Sequence, residues 1–169
     1  MTSLKLNKRG LLKGIFSLVF VLMIFGLISI GAYLLFSNMK TGYDNAGLTS
    51  SEAGNRAITG FDNAFKSLDY LIVIFMISGI IGLGLLSYKL AAPKVFFVLI
   101  WLFAPILGAI SWFFNFIFIS FIGQAVFNAV IGTFPITMLL CTNLHWVALI
   151  GIAVGSITFY SKKDTGQIV

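Results

Sequence analysis

The chain of 169 residues is 59% hydrophobic and only 9% charged, with a mean hydropathy of +1.05. Soluble domains carry about 25% charged residues, so this composition excludes a solvated globular surface and predicts an all-α integral membrane protein. The formal net charge of +6 favours an anionic partner, which lipid headgroups, nucleic acid or an acidic protein surface would each provide.

The first predicted element is a membrane span at residues 15–36, which follows a basic stretch. A signal peptide has an apolar region of about 7–15 residues and a small-residue cleavage site. This apolar region is longer, and the sequence after it lacks such a site. We therefore expect a retained signal-anchor helix.

Residues 37–69 form one long hydrophilic segment with basic and acidic side chains interspersed. Thr49 and Glu52 have the spacing of a capping box, which marks a helix start. Asp62 and Lys66 form an i,i+4 pair, worth about 0.3–0.5 kcal/mol on an exposed helix. Because the early part is rich in glycine, we expect turns there, followed by an amphipathic helix on the membrane surface that runs into the next span.

Asp62, Lys66 and Asp69 are candidates for contact with a partner protein, because they stand together at the entry to the second span. They could also line the mouth of a pore. The alternative for Asp69 is a solvated acid at the start of a helix, where the helix dipole favours a negative charge.

Long uncharged apolar stretches predict three further spans, at residues 71–88, 95–114 and 138–160. Lys89 and Lys94 flank a tight turn, so the second and third spans should form an antiparallel hairpin. Pro105 predicts a kink in the third span, because proline removes a backbone hydrogen-bond donor.

The segment between the last two spans, residues 115–135, has two interpretations. Weakly polar residues recur there at every fourth position, which predicts a polar stripe along one helix: Ser120, Gln124, Asn128 and Gly132. The segment is either a re-entrant or interfacial helix, or a fifth span that packs its stripe against other helices.

Charge placement favours four spans with both termini on the cytoplasmic side. Basic residues near span ends concentrate on that side of a membrane, and a fifth span would break the segregation. With four spans, one side of the membrane holds the predicted basic face: Lys5, Lys8, Arg9, Lys13, Lys89, Lys94, Lys162 and Lys163.

Two features inside the spans indicate helix packing. Gly151 and Gly155 form a G-x-x-x-G motif, which lets a second helix approach closely, whereas Gly26 and Gly31 lack that spacing and are expected to be merely tolerated. Asn143 and His145 belong to a polar intramembrane cluster. His145 could carry a proton or bind an ion, but a position near the span's start favours an interfacial anchor or an interhelical hydrogen bond.

The residue inventory predicts no enzyme, no cofactor and no metal site. The spans hold no acidic residue, and one histidine with one cysteine, Cys141, cannot supply an ordinary zinc site. The alternative functions that remain are a small channel, holin-like or transport protein, and an accessory subunit of a cellular membrane complex.

Residues 60–118 have a recognisable layout: an amphipathic lead ending in Leu-Asp, a span, a basic proline turn, the sequence KVFF and a second span ending in aromatic residues and Asn. This layout resembles small membrane proteins of tailless bacteriophages with an internal lipid bilayer, such as tectiviruses and corticoviruses. The resemblance implies a minor virion component in the internal membrane. Its basic face would contact packaged nucleic acid without reading sequence, and residues 37–69 would contact the capsid shell.

Overall fold

The structure is a computed structural model that describes residues 10–89 and 95–161. These residues form helices and short 3-10 turns and no strand. The five helices are α1 (Gly10–Asn45), α2 (Glu52–Lys89), α3 (Val95–Ile122), α4 (Pro135–Cys141) and α5 (Leu144–Tyr160). The all-α class predicted from composition is therefore confirmed.

Helices α1 and α2 pack along each other as a long antiparallel hairpin. The glycine at position 14 faces Leu83 near one end, and the rings of Phe25 and Phe75 lie 5.1 Å apart farther along. In the hydrophilic segment 37–69 the turns are confined to residues 46–51, and from Glu52 onward the segment forms a helix that runs into the next span, as predicted. Residues 37–45 continue α1 and residues 52–69 begin α2, and the ring of Phe36 contacts Phe61 and Phe65 across the two extensions.

The turn between α1 and α2 is short and well defined. Gly47 has a φ of 71°, the left-handed conformation that commonly follows the last residue of a helix. The side chain of Ser51 accepts a hydrogen bond from the Gly54 N–H at 3.1 Å and so caps α2. The predicted capping box is therefore two residues too early: Thr49 lies in a 3-10 turn, Ser51 is the capping residue, and Glu52 is the first residue of the helix.

Helix α3 runs through Pro105 without interruption and ends at Ile122. The chain then leaves helical geometry at Gln124, whose ψ is 137°. Two 3-10 turns, Ala125–Phe127 and Ile131–Thr133, lead to α4. The single polar-striped helix predicted for residues 115–135 is therefore wrong, and these turns are too short to form a fifth span.

The predicted fourth span, 138–160, is two helices bent by 68°. The bend lies at Thr142 and Asn143, whose side chains donate hydrogen bonds to the carbonyl oxygens of Met138 and Leu139 at 2.7 and 2.8 Å. The Leu139 carbonyl takes the Asn143 amide because the Asn143 N–H bonds to Leu140 instead, whereas the Met138 carbonyl also accepts the Thr142 N–H. The sequence did not predict this break.

Helices α4 and α5, the bent pair, together lie beside the spanning part of α2 from one end to the other. Thr137 of α4 contacts Asp69 of α2, and Thr158 of α5 lies beside Gly84 of α2. Three helices are long and apolar enough to cross a membrane, and the bent pair makes a fourth passage if it is counted as one span. The protein is thus a polytopic helical membrane protein.

Several glycines allow close approach between the helices. A Cβ atom at position 26 would lie 2.7 Å from the sulfur of Cys141, whereas one at Gly31 would meet nothing within 4 Å. The expectation that both glycines are merely tolerated is therefore wrong for Gly26. In the predicted G-x-x-x-G motif, Gly151 packs against Leu83 and Ile15, and Gly155 is buried.

Candidate functional site at the base of the hairpin

A buried carboxylate joins α2 to the start of α4. Asp69 is only 3% exposed, and its two oxygens accept hydrogen bonds from the backbone N–H groups of Ile136 at 3.1 Å and Thr137 at 2.6 Å. Because the first N–H groups of a helix have no partner within that helix, Asp69 serves as an N-terminal cap supplied by another helix.

The local sequence explains why α4 needs this partner. Phe134 precedes the helix with φ −121° and ψ 57° and offers no side-chain cap, and Pro135 begins the first turn. The interpretation of Asp69 as a solvated acid at a helix start is wrong. It lies in the interior of α2, and the helix start that it stabilises belongs to α4.

A second polar contact lies one to two turns closer to the tip of the hairpin. Asp62 accepts a hydrogen bond from the Tyr33 hydroxyl at 2.8 Å and forms an ion pair with Lys66. The ion pair with Lys66 lowers the pKa of Asp62, and the Tyr33 hydrogen bond acts in the same direction. Lys66 in turn has a raised pKa because of Asp62.

Aromatic rings surround these polar groups and close off the end of the bundle. The Tyr33 ring packs edge-on against Phe134 at 5.4 Å and Phe65 at 6.0 Å, and Phe36 stacks on Phe65 at 5.1 Å. These rings cover the polar contacts at the level where α4 begins.

Of the helices in the described part of the chain, α1 and α2 alone continue beyond this level, and we call residues 36–66 the projecting hairpin. From Tyr33 to the end of α1 at Asn45 the helix rises about 18 Å. Charged side chains that the spans lack are concentrated here. Arg56 and Glu52 form an exposed ion pair at the outer end.

The three candidate partner-contact residues are thus brought together on one helix, but they differ in accessibility. Lys66 is half-exposed, and the Asp62 side chain is 15% exposed. Asp69 is unavailable to a partner, because α4 covers it.

The predicted basic face falls mostly outside the described residues, which do not include Lys5, Lys8, Arg9, Lys94, Lys162 and Lys163. Lys13 is exposed near the start of α1, and Lys89 is the last residue of α2. These two positions lie at the same end of the bundle, since Gly14 contacts both Leu83 and Leu86.

The predicted intramembrane polar residues have different roles. Asn143 stabilises the break between α4 and α5 with its side-chain hydrogen bond. His145 is half-buried beside Trp146, and its Nδ1 atom is buried without a hydrogen-bond partner in the described part of the chain. The Oδ1 atom of Asn115 on α3 is also buried without a hydrogen-bond partner in the described part of the chain. The sequence pattern did not indicate Asn115.

The fold and the site define a polytopic, all-α membrane protein with a two-helix projection anchored by a buried carboxylate. No protein-family model matches the chain, and neither a curated protein nor a solved structure is significantly similar to it. Among the described residues, no group of three or more His, Cys, Asp or Glu side chains could hold a metal ion.

The Tyr33 hydroxyl should contribute measurably to the position of the hairpin. Tyr33→Phe removes the hydrogen bond to Asp62 while keeping the aromatic contacts, so we expect a loss of about 1 kcal/mol in the free energy of unfolding. Denaturant titration of the purified protein in detergent measures this loss. Tyr43→Phe, on the same helix, is the matched control and should change little.

The Asp62 contacts also predict a pH dependence. A carboxyl group whose pKa is lowered on folding contributes stability that is complete above its ordinary pKa of about 3.9 and is lost as the pH falls through the lower folded value. The stability of the wild-type protein relative to Asp62→Asn should therefore fall below about pH 4. Equal pH profiles of the two proteins would contradict this assignment.

Proposed function

We propose that this protein is a structural membrane protein that tethers a partner to the bilayer through the projecting hairpin. The observation that supports this most is the hairpin's attachment: Asp69, Asp62 and Tyr33 connect α1, α2 and α4 at its base. Such an attachment holds the projection at a fixed angle, which a tether needs and a flexible loop would lack.

The composition of the projecting hairpin also fits a contact surface. It carries exposed large apolar side chains, among them Met39, Leu48 and Phe61, together with exposed charges at Glu52 and Arg56. Interfaces commonly combine an apolar centre with a polar rim.

The setting proposed for this tether is the internal membrane of an icosahedral virus. The hairpin would contact the capsid shell, and the basic face would lie toward packaged nucleic acid, binding phosphates non-specifically. The resemblance of residues 60–118 to membrane proteins of tailless bacteriophages, and the segregation of basic residues in the sequence, support this proposal.

Limited proteolysis tests the assignment. In intact particles the shell should protect the hairpin, and in particles stripped of their shell trypsin should cut at Lys40, Arg56 or Lys66 while the termini remain intact. Cleavage of the termini with the hairpin spared would overturn the orientation. Equal cleavage of the hairpin before and after stripping would overturn the contact with the shell.

A channel or transport function is the second candidate, because the buried Nδ1 of His145 and Oδ1 of Asn115 lack partners among the described residues. Buried polar groups are usually hydrogen-bonded, so two unpaired atoms could contact a permeating species. Ion flux in proteoliposomes that is lost in His145→Ala and Asn115→Ala, but retained in Ser120→Ala, would favour this function over the tether.

A further inference from the structure

The projecting hairpin contains an apolar cavity between its two helices. Its volume is about 380 Å³, within the range of small-molecule sites. Both helices and the turn between them contribute its lining: Phe36, Met39, Tyr43, Leu48, Gly54, Ala57, Ile58 and Phe61. None of these residues is charged, and the small side chains at positions 54 and 57 leave the space open.

The cavity adjoins a continuous apolar surface that begins in the membrane span. Ile28, Leu35 and Met39 are all more than half exposed, and their spacing of seven and four residues places them on one face of α1. The lipid-facing side of the span therefore continues without a polar break to the cavity wall.

The length of α1 indicates how far this apolar surface extends. Between Lys13 and Lys40 the helix has no charged residue, and this stretch rises about 39 Å. A bilayer hydrocarbon core is about 30 Å thick. An excess of apolar length is met by tilting or by local thickening of the bilayer. Lipid chains can therefore follow the apolar face of α1 as far as Phe36 and Met39, whereas α2 carries the Asp62–Lys66 ion pair at the level of Phe36.

We propose that the cavity binds one acyl chain of a bilayer lipid. The uncharged and mainly apolar lining favours an apolar ligand, and the continuity with the lipid-facing surface of α1 supplies the route of entry. A chain bound there would fill the space between the helices and stiffen the projecting hairpin at its junction with the membrane.

Photocrosslinking of the full-length protein tests this proposal. The protein is reconstituted into nanodiscs of phosphatidylcholine and phosphatidylglycerol that include phosphatidylcholine with a diazirine on one acyl chain. After irradiation, tryptic cleavage at Lys40, Arg56 and Lys66 isolates the two cavity peptides, residues 41–56 and 57–66. We expect lipid adducts on both peptides.

A pair of variants separates cavity binding from general contact with lipid. Ala57→Leu narrows the cavity and should reduce the adducts on these peptides about tenfold, the effect of returning about two methylene groups to water. Ala53→Leu makes the same change at an exposed position that does not line the cavity, and should leave adducts unchanged. Adducts on the spans serve as the internal reference.

Two results would overturn the proposal. One is a set of adducts confined to the spans, and the other is equal labelling of the hairpin in Ala57→Leu and Ala53→Leu. Because the nanodiscs contain no shell protein, neither result depends on whether the hairpin also binds one.

Discussion

Asp69→Ala should reduce the free energy of unfolding by about 2–4 kcal/mol, because it removes two hydrogen bonds to a charged group and leaves two buried backbone N–H groups without a partner. Both donors belong to the first turn of α4, so amide hydrogen exchange should accelerate chiefly in α4. Denaturant titration and exchange mass spectrometry in detergent measure the two effects.

Two further variants make the Asp69 test specific. Asp69→Asn keeps one acceptor oxygen but places an NH₂ group against the other N–H donor. Its free energy of unfolding should therefore lie between those of the wild type and Asp69→Ala. Asp44→Ala removes an exposed acid near the tip of the hairpin and should have almost no effect. Equal stability of Asp69→Ala and Asp44→Ala would refute the capping role.

Gly26→Val should lower the free energy of unfolding by roughly 1–3 kcal/mol, because it overpacks the buried contact between α1 and its neighbours. The new Cβ atom would lie 2.7 Å from the Cys141 sulfur, 3.1 Å from Thr137 Cγ2 and 3.3 Å from Phe118 Cε2. All three side chains are fully buried, so none of them can move aside into lipid.

Gly31→Val is the matched control for Gly26→Val. It makes the same change in helix propensity on the same helix, but its Cβ atom meets nothing within 4 Å. A double variant adds a second test. Combining Cys141→Ala with Gly26→Val removes the sulfur nearest to the new Cβ atom, so it should restore part of the stability that Gly26→Val loses. Equal melting temperatures for Gly26→Val and Gly31→Val would contradict the predicted close approach.

The sequence predicted the helical class and the approximate positions of the apolar spans, because a chain in lipid must satisfy its backbone groups within helices. It did not predict where those helices end. Residues 37–69 are hydrophilic enough to indicate the end of a span, but hydrophilicity does not end a helix. Here the helices continue until Gly47 and Ser51 supply the local end and start signals.

The candidate site could be predicted only in part, because its contacts are non-local. The i,i+4 pair of Asp62 and Lys66 was visible in the sequence. The partner of Asp69 lies 67 residues away, and nothing in the local pattern indicates it. Gly26 and Gly31 likewise look equivalent in sequence, since the register between helices decides which one faces a neighbour.

The break after α4 has a signal in the sequence, the adjacent polar residues Thr142 and Asn143. The sequence pattern groups Asn143 with His145 in a polar cluster. The Thr142 hydroxyl and the Asn143 amide bond to the carbonyls of Met138 and Leu139 in the last turn of α4. Adjacent polar residues in an apolar stretch compete with the helix for backbone hydrogen bonds, so a break was a physical alternative to a functional cluster.

The central claim, a bundle of four passages whose hairpin projects on the side opposite the termini, is tested most directly by cysteine labelling in sealed membrane vesicles. The native Cys141 is fully buried, so the wild-type chain provides an unlabelled baseline. A membrane-impermeant maleimide is applied to Ser50→Cys at the hairpin tip, and to Thr2→Cys and Thr165→Cys near the termini. The account predicts that Ser50→Cys reacts from one side of the membrane and that both terminal variants react only from the other. Reaction of Thr2→Cys and Thr165→Cys from opposite sides, or of Ser50→Cys from the same side as both, would contradict it.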